Sequence, residues 1–348
     1  MLIYEIFTYS FIILALFKIF KNNKYLLWAG VIGLIIVAAI RDYGVGTDTL
    51  SYYFSFSGKE LDEAAYRAQK GEYLFYFIGD FCLKYLNFDW YMFIIYGLSY
   101  SCIGWAVNKA SANKMLSLFM LIALNFFTGS FNLMRQFICM SIMLMATCFL
   151  DRNRDKKGLF VFLLLFIASY FIHHSVVLCL LFLPFFFLRV SHIIWYAIIS
   201  ISFVLGVIFS SYLSGLFSLL GNIAGSYENY VGMVGDEGSR NIFSNLGLNL
   251  VALSTVFLYN RQDNINSIYV KLFAVAVIFQ NLFGWGYFSR VAEYFALFQI
   301  ITIPIAFEKE KTIRYKYLYF ALILVYCFTK FYLMVPNTNQ VVPYRTRW

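Results

Sequence analysis

Apolar runs of roughly 17–25 residues recur from one end of this chain to the other, the length an α-helix needs to cross the hydrocarbon layer of a bilayer. Within lipid, backbone polar groups must be satisfied inside the spanning structure, which leaves helices and closed barrels. The ten-residue alternation that marks a barrel strand is absent. A mean hydropathy of +0.72, 61% hydrophobic residues and 13% charged residues over 348 positions agree with the helical reading. The expected fold class is an all-α polytopic integral membrane protein, a single multi-pass domain over 1–348.

The runs place spans at 2–20, 25–40, 89–107, 115–131, 137–150, 159–172, 175–190, 193–217, 242–259, 269–285, 287–307 and 316–335, about twelve helices. The stretch 73–86 carries Asp80 and Lys84 inside an aromatic run. It reads either as a thirteenth span or as an amphipathic helix on the surface. Basic residues arbitrate. With 73–86 not crossing, most of the 27 Lys and Arg residues fall on one side. Lys18, Lys21 and Lys24, the group from Arg152 to Lys157, and the group from Lys309 to Lys316 then share the cytoplasmic face, as basic loops do. The net charge of +9 is explained by that asymmetry. No basic stripe with interleaved aromatics stands clear of the membrane, so nucleic acid is not an expected partner; membrane lipid is.

The non-cytoplasmic side carries two long loops. One is 41–72, with a mixed-charge stretch from Lys59 to Glu72 that leads into the candidate amphipathic helix. The other is the glycine-rich 218–241, suited to a lid and ending near Arg240. The same side holds lone arginines at helix ends, Arg41, Arg135, Arg240 and Arg290, which are costly at membrane depth unless paired or used.

Four constellations bear chemistry. In Arg41-Asp42-Tyr43-Gly44-Val45-Gly46-Thr47-Asp48-Thr49, Arg41 offers a planar fork to a phosphate and Asp48 a carboxylate to a hydroxyl. The same residues fit a hairpin that caps the second helix, with Arg41 paired to Asp42. Arg135-Gln136 stands at a helix N-terminus, where the dipole favours an anion; a snorkelling interfacial arginine is the alternative. His173-His174-Ser175 supplies an imidazole that can act as acid or base, or a polar helix–helix contact. Arg290, Glu293 and Tyr294 share one helical face at i, i+3 and i+4, so Glu293 either neutralises Arg290 or aims it. The i,i+4 histidine pair of a zinc site is absent. Cys82, Cys102, Cys139, Cys148, Cys179 and Cys327 all sit in apolar runs without a CxxC pair. Neither metal nor cofactor is expected.

Taken in order, Arg41 with Val45-Gly46-Thr47-Asp48 and Tyr52, then Arg135-Gln136, then His173 and Ser175, then Arg290 with Tyr294, and finally Val342-Pro343-Tyr344, resemble the EpsG-like group of Wzy-type polysaccharide polymerases. The resemblance runs from about residue 30 to the end. It implies a glycosyltransferase of GT-C-like architecture in the bacterial inner membrane, with its site facing the periplasm. The implied reaction joins oligosaccharide repeat units carried on undecaprenyl diphosphate into O-antigen or related surface polysaccharide. A chain-length regulator protein is the implied partner. On this reading His173 or Asp48 is the base. Arg41, Arg135, Gln136, Arg290, Glu293, Tyr294, Arg240 and Tyr52 hold the diphosphate and glycan. An O-antigen ligase, or a flippase for the lipid-linked oligosaccharide, is the rival function.

Overall fold

The computed structural model describes residues 1–57, 71–152, 156–209, 242–283, 289–337 and 340–347. Among the described residues the regular structure is helical, apart from one isolated bridge between Arg41 and Thr346. In chain order the helices are α1 (Leu2–Leu16), α2 (Lys24–Ile40), α3 (Thr49–Phe56), α4 (Tyr73–Tyr85), α5 (Phe88–Ala110), α6 (Lys114–Ala123), α7 (Phe126–Gly129), α8 (Met134–Arg152) and α9 (Lys156–Tyr170). A 3-10 turn over His174–Leu181 follows. Then come α10 (Phe182–Phe187), α11 (His192–Ile208), α12 (Ile242–Arg261), α13 (Ile268–Phe283), α14 (Ser289–Ala296), α15 (Gln299–Lys309) and α16 (Ile313–Met334). The loop 218–241 with Arg240, and much of the mixed-charge stretch before Glu72, lie outside the described residues.

The chain forms two compact units: Met1–Leu180 with Cys327–Trp348, and Leu181–Tyr326. In the first, α2 packs on α5, α5 on α8, and α8 on α9, while α1 lies against α6. Asparagines start several of these helices by accepting from orphan backbone N–H groups: Asn23 from Tyr25 and Leu26, Asn87 from Trp90, and Asn113 from Leu116. In the second unit, α11, α12 and α13 pack together around a buried amide pair. Asn249 and Asn281 each donate to the other at 2.8 and 2.9 Å, and Asn281 also donates to Ser202 at 2.9 Å. In an apolar bundle such polar side chains hold helices together. Lys271 is buried as well and donates to the carbonyls of Phe185 and Leu188 at the end of α10, where a cation complements the helix dipole.

Among the described residues, three helices are long and apolar enough to cross a membrane: Phe88–Ala110, Met134–Asp151 and Ile313–Met334. Further apolar helices of 10–17 residues accompany them. The chain is therefore a helical membrane protein. Three stretches expected as continuous helices are interrupted. The 115–131 helix stops at Asn125, whose φ of 66° is left-handed, and resumes as the short α7. The 287–307 helix breaks between α14 and α15. The 175–190 helix is 3-10 until Phe182; Pro184 has no N–H to extend an α-ladder back to Leu180, so an α-helix can begin only just before it. The stretch 73–86 does form a helix. Its 13 residues rise about 20 Å, short of the roughly 30 Å hydrocarbon layer. Phe75 and Cys82 are buried, whereas Tyr73, Tyr76, Phe77, Phe81 and Tyr85 are exposed.

Candidate functional site

The C-terminal end of α2 shows how the first unit shapes its polar end. The last four carbonyls of a helix have no partner in the helix itself. Here each finds one. The Tyr344 hydroxyl donates to Val37 at 2.8 Å, and the Arg41 guanidinium to Ala38. Arg347 donates to Ala39 through its side chain at 2.6 Å and to Ile40 through its backbone N–H at 3.1 Å. The C-terminal tail is thus the cap of α2. Arg347 also donates to the Arg41 carbonyl and pairs with Asp89 at 2.7 Å. Gly46, at φ +95°, donates to Gln340 at 3.1 Å; a β-carbon there would meet Asn132 and Thr49 at about 3 Å.

Arg41 itself has no exposed surface. Its donors reach the carbonyls of Ala38, Val45 and Phe131 and the Thr49 hydroxyl. Its guanidinium lies 4.3 Å from the Phe131 ring centre and 4.8 Å from that of Tyr96. The fork that the sequence offers to a phosphate is here engaged by the protein's own carbonyls and the Thr49 hydroxyl. The side chain closes the 41–49 loop on itself and ties it to the turn before α8. The capping alternative is realised, but through carbonyls: the Asp42 carboxylate accepts from Gly44 N–H instead.

That turn leads to Arg135, the second residue of α8. Its guanidinium donates to Glu72 at 2.6 Å, and the other oxygen of Glu72 lies 2.6 Å from Nδ1 of His173. Glu72 is buried, with 5% of its side chain exposed, while Arg135 and His173 keep 26% and 25%. A buried carboxylate therefore bridges two groups that both reach the surface. Burial alone would raise the Glu72 pKa; the hydrogen bond from His173 and the charge of Arg135 outweigh it and hold the carboxyl at about 2, against an ordinary 4.5. The Tyr52 hydroxyl bonds the same guanidinium, and Phe75 lies under it at 5.9 Å.

Local structure puts these groups together. Gly71 turns the chain at φ +80°, and a β-carbon there would meet the His174 ring at 3.3 Å. Glu72 then immediately precedes α4, which is tied down by Leu74 N–H donating to Phe171 at 2.9 Å. After α9 ends, the His173 N–H closes back on Ser169 at 2.9 Å. His174 turns away from the carboxylate and stacks on Tyr170 at 4.4 Å, so of the two adjacent histidines His173 joins the cluster.

The remaining expected residues fall as follows. Asp48 is half-buried before α3 and accepts from the Thr47 hydroxyl at 3.1 Å; Tyr52 is one turn on. Gln136 is buried beside Arg135. Arg290, Glu293 and Tyr294 share α14 in the second unit, at the spacing expected of one helical face. Tyr294 is buried, and the Arg290 side chain lies outside the described residues. Glu72, the centre of the cluster, is not among the residues expected from the sequence. Its one local signal is a carboxylate between a glycine and an aromatic helix.

Taken together, the apolar helices define a helical membrane protein whose first unit holds a buried carboxylate bridging an arginine and a histidine. The chain belongs to the EpsG family, whose model matches residues 24–346. That family is associated with Wzy-like polymerases, which makes this a membrane protein of polysaccharide biosynthesis. No curated protein and no solved structure matches it.

Proposed function

We propose that this protein polymerises oligosaccharide repeat units carried on undecaprenyl diphosphate into O-antigen or a related surface polysaccharide, at the periplasmic face of the bacterial inner membrane. On this reading the chain crosses the membrane about twelve times in a GT-C-like arrangement. Family membership supports the substrate class. The observation that carries the chemistry is the buried Glu72 carboxylate bridging Arg135 and His173.

The reaction needs two things from the protein. A base must take the proton of the acceptor hydroxyl as its oxygen bonds the anomeric carbon. Cations must meet the charge that builds on the diphosphate as the anomeric carbon–oxygen bond breaks. His173 or Asp48 serves the first need. Arg135 serves the second, with Arg290 on α14, oriented by Glu293 and Tyr294. Tyr52 and Gln136 hold the surroundings of Arg135, and a chain-length regulator protein is the proposed partner.

The test is the surface-glycan ladder of cells lacking the protein. A single capped repeat unit is expected. Free, unattached polymer would point to a ligase, and lipid-linked units accumulating in the cytoplasm to a flippase. In complemented cells, correctly inserted Arg135→Ala or Arg290→Ala should lower polymer output by roughly 10²–10³-fold, as loss of one preorganised charge donor does.

A further inference from the structure

The cluster also chooses between the two candidate bases. We infer that His173 is the base, acting through Nε2, and that Glu72 is its positioning residue. The inference rests on the polymerase reading for the reaction but on geometry for the assignment.

An imidazole can serve as base only through a bare nitrogen, and the tautomer depends on what the other nitrogen bonds. Glu72 places an oxygen 2.6 Å from Nδ1 of His173. Its second oxygen takes the Arg135 guanidinium at 2.6 Å, which keeps the carboxylate ionised and able only to accept. Nδ1 therefore carries a proton, and in the neutral ring, the form that can act as a base, the lone pair lies on Nε2. The backbone holds both partners: His173 N–H is bonded to Ser169, and the segment after Glu72 is bonded to Phe171. Among the described residues Asp48 has no comparable support; its carboxylate accepts from the neighbouring Thr47 hydroxyl. In the resulting step the acceptor O–H bond breaks and its proton goes to Nε2. The oxygen bonds the anomeric carbon, and the electron pair of the broken glycosyl bond leaves on the diphosphate.

The tautomer can be read without activity. The chain has three histidines: His173, His174 and His192. Full-length protein carrying ¹⁵N-histidine in lipid nanodiscs gives three imidazoles, and His173 is assigned by its loss in His173→Gln. Wild type should show His173 protonated at Nδ1 and bare at Nε2. Glu72→Gln should release that fixed tautomer while the His174 and His192 signals stay in place. In membranes that make the lipid-linked glycan, the same variant should lower polymer output at least roughly 10²-fold. Glu72→Asp, with the carboxylate one methylene farther away, should be intermediate on both readouts.

An unchanged His173 tautomer in Glu72→Gln would overturn the inference. So would full polymer output in Glu72→Gln when His173→Gln abolishes it, and the polymerase reading would survive that result. If cells lacking the protein keep an unaltered glycan ladder, the polymerase reading falls and takes the inference with it, even with the tautomer as expected; if that ladder collapses while His173→Gln leaves it intact, the inference alone is overturned. Should Glu72→Gln fail to accumulate, Glu72→Asp decides: wild-type tautomer together with wild-type output overturns the assignment.

Discussion

Arg41 separates a structural arginine from a substrate-binding one, and Arg41→Lys is the substitution that tests it. Lysine keeps the positive charge but replaces a planar five-donor fork with a compact ammonium bearing three donors. Arg41 spans three carbonyls on two segments, Ala38 and Val45 on its own and Phe131 ninety positions away. An ammonium has no such reach. The Val45 carbonyl keeps the Thr49 hydroxyl as a donor at 2.8 Å. The carbonyls of Ala38 and Phe131 would lose theirs in a site without exposed surface. An orphaned buried acceptor costs about 1–3 kcal/mol, so two of them cost about 2–6 kcal/mol. Lost stacking on Tyr96 and Phe131 adds to that, at about 1 kcal/mol or more per ring. No relief comes from removing the charge, because the charge remains.

The assay is thermal unfolding of the full-length protein in nanodiscs, followed by tryptophan fluorescence, beside the glycan ladder of cells carrying the variant. Arg41→Lys should unfold several degrees below wild type, and polymer output should fall in step with the amount of folded protein. A phosphate-binding arginine behaves in the opposite way. If Arg41→Lys is as stable as wild type yet makes no polymer, the structural role is refuted and Arg41 returns to the substrate site.

Further predictions follow from the same geometry. Because Glu72 titrates at about 2 in the folded state against an ordinary 4.5, its contribution is full above about pH 4.5 and is lost as pH falls toward 2. The shift corresponds to about 3 kcal/mol. The stability gap between wild type and Glu72→Gln, measured by denaturation at a series of pH values, should therefore narrow across that window. Arg347→Ala strips the side-chain donor from the Ala39 and Arg41 carbonyls and from Asp89, so unfolding of the full chain should show a loss of about 2–6 kcal/mol, about 1–3 for each orphaned carbonyl. Asn281→Leu breaks the reciprocal amide pair in the second unit. Helix–helix hydrogen bonds in membrane proteins are worth about 0.6 kcal/mol on average, so the Asn249→Leu/Asn281→Leu double variant should lie within about 1 kcal/mol of wild type, with the single variant below both. On the proposed topology, with the segment before α4 in the periplasm and α4 not crossing, a cysteine-free variant carrying one new cysteine at Tyr85 should react with a membrane-impermeant thiol reagent added from the periplasm.

What was legible in the sequence was whatever repeats or punctuates locally. Apolar runs mark most of the helices to within a few residues, because a helix in lipid is set by composition over its own length. The breaks are less visible. Asn125 adopts a left-handed conformation that nothing in its apolar neighbours announces, and the 3-10 stretch before Pro184 is written in one residue's missing N–H. The candidate site shows the same division. Arg135 and His173 stood out as lone polar groups at helix ends. Glu72 is 63 positions from one and 101 from the other, and no periodicity links residues that distant. Arg41 stood out equally well, yet its role depends on where five N–H groups point. Only the carbonyls of Ala38, Val45 and Phe131, and a tail more than three hundred residues downstream, decide that.

The bridged cluster also has a charge balance that bears on how one site meets two demands. With His173 in the neutral form that a base requires, Arg135 and Glu72 cancel. Such a cluster holds a bound diphosphate less tightly than a bare arginine would. On the proposed mechanism His173 takes the acceptor's proton as the glycosyl bond breaks, and the cluster then carries one net positive charge. That charge appears while negative charge is developing on the leaving diphosphate. Stabilisation that grows toward the transition state raises turnover, whereas a permanent cation also tightens the ground state and slows release of the spent lipid diphosphate. Glu72→Gln would leave Arg135 as an uncancelled cation. It should therefore bind lipid diphosphate more tightly than wild type while polymerising less, and a variant that loses both binding and turnover would argue against this division of labour.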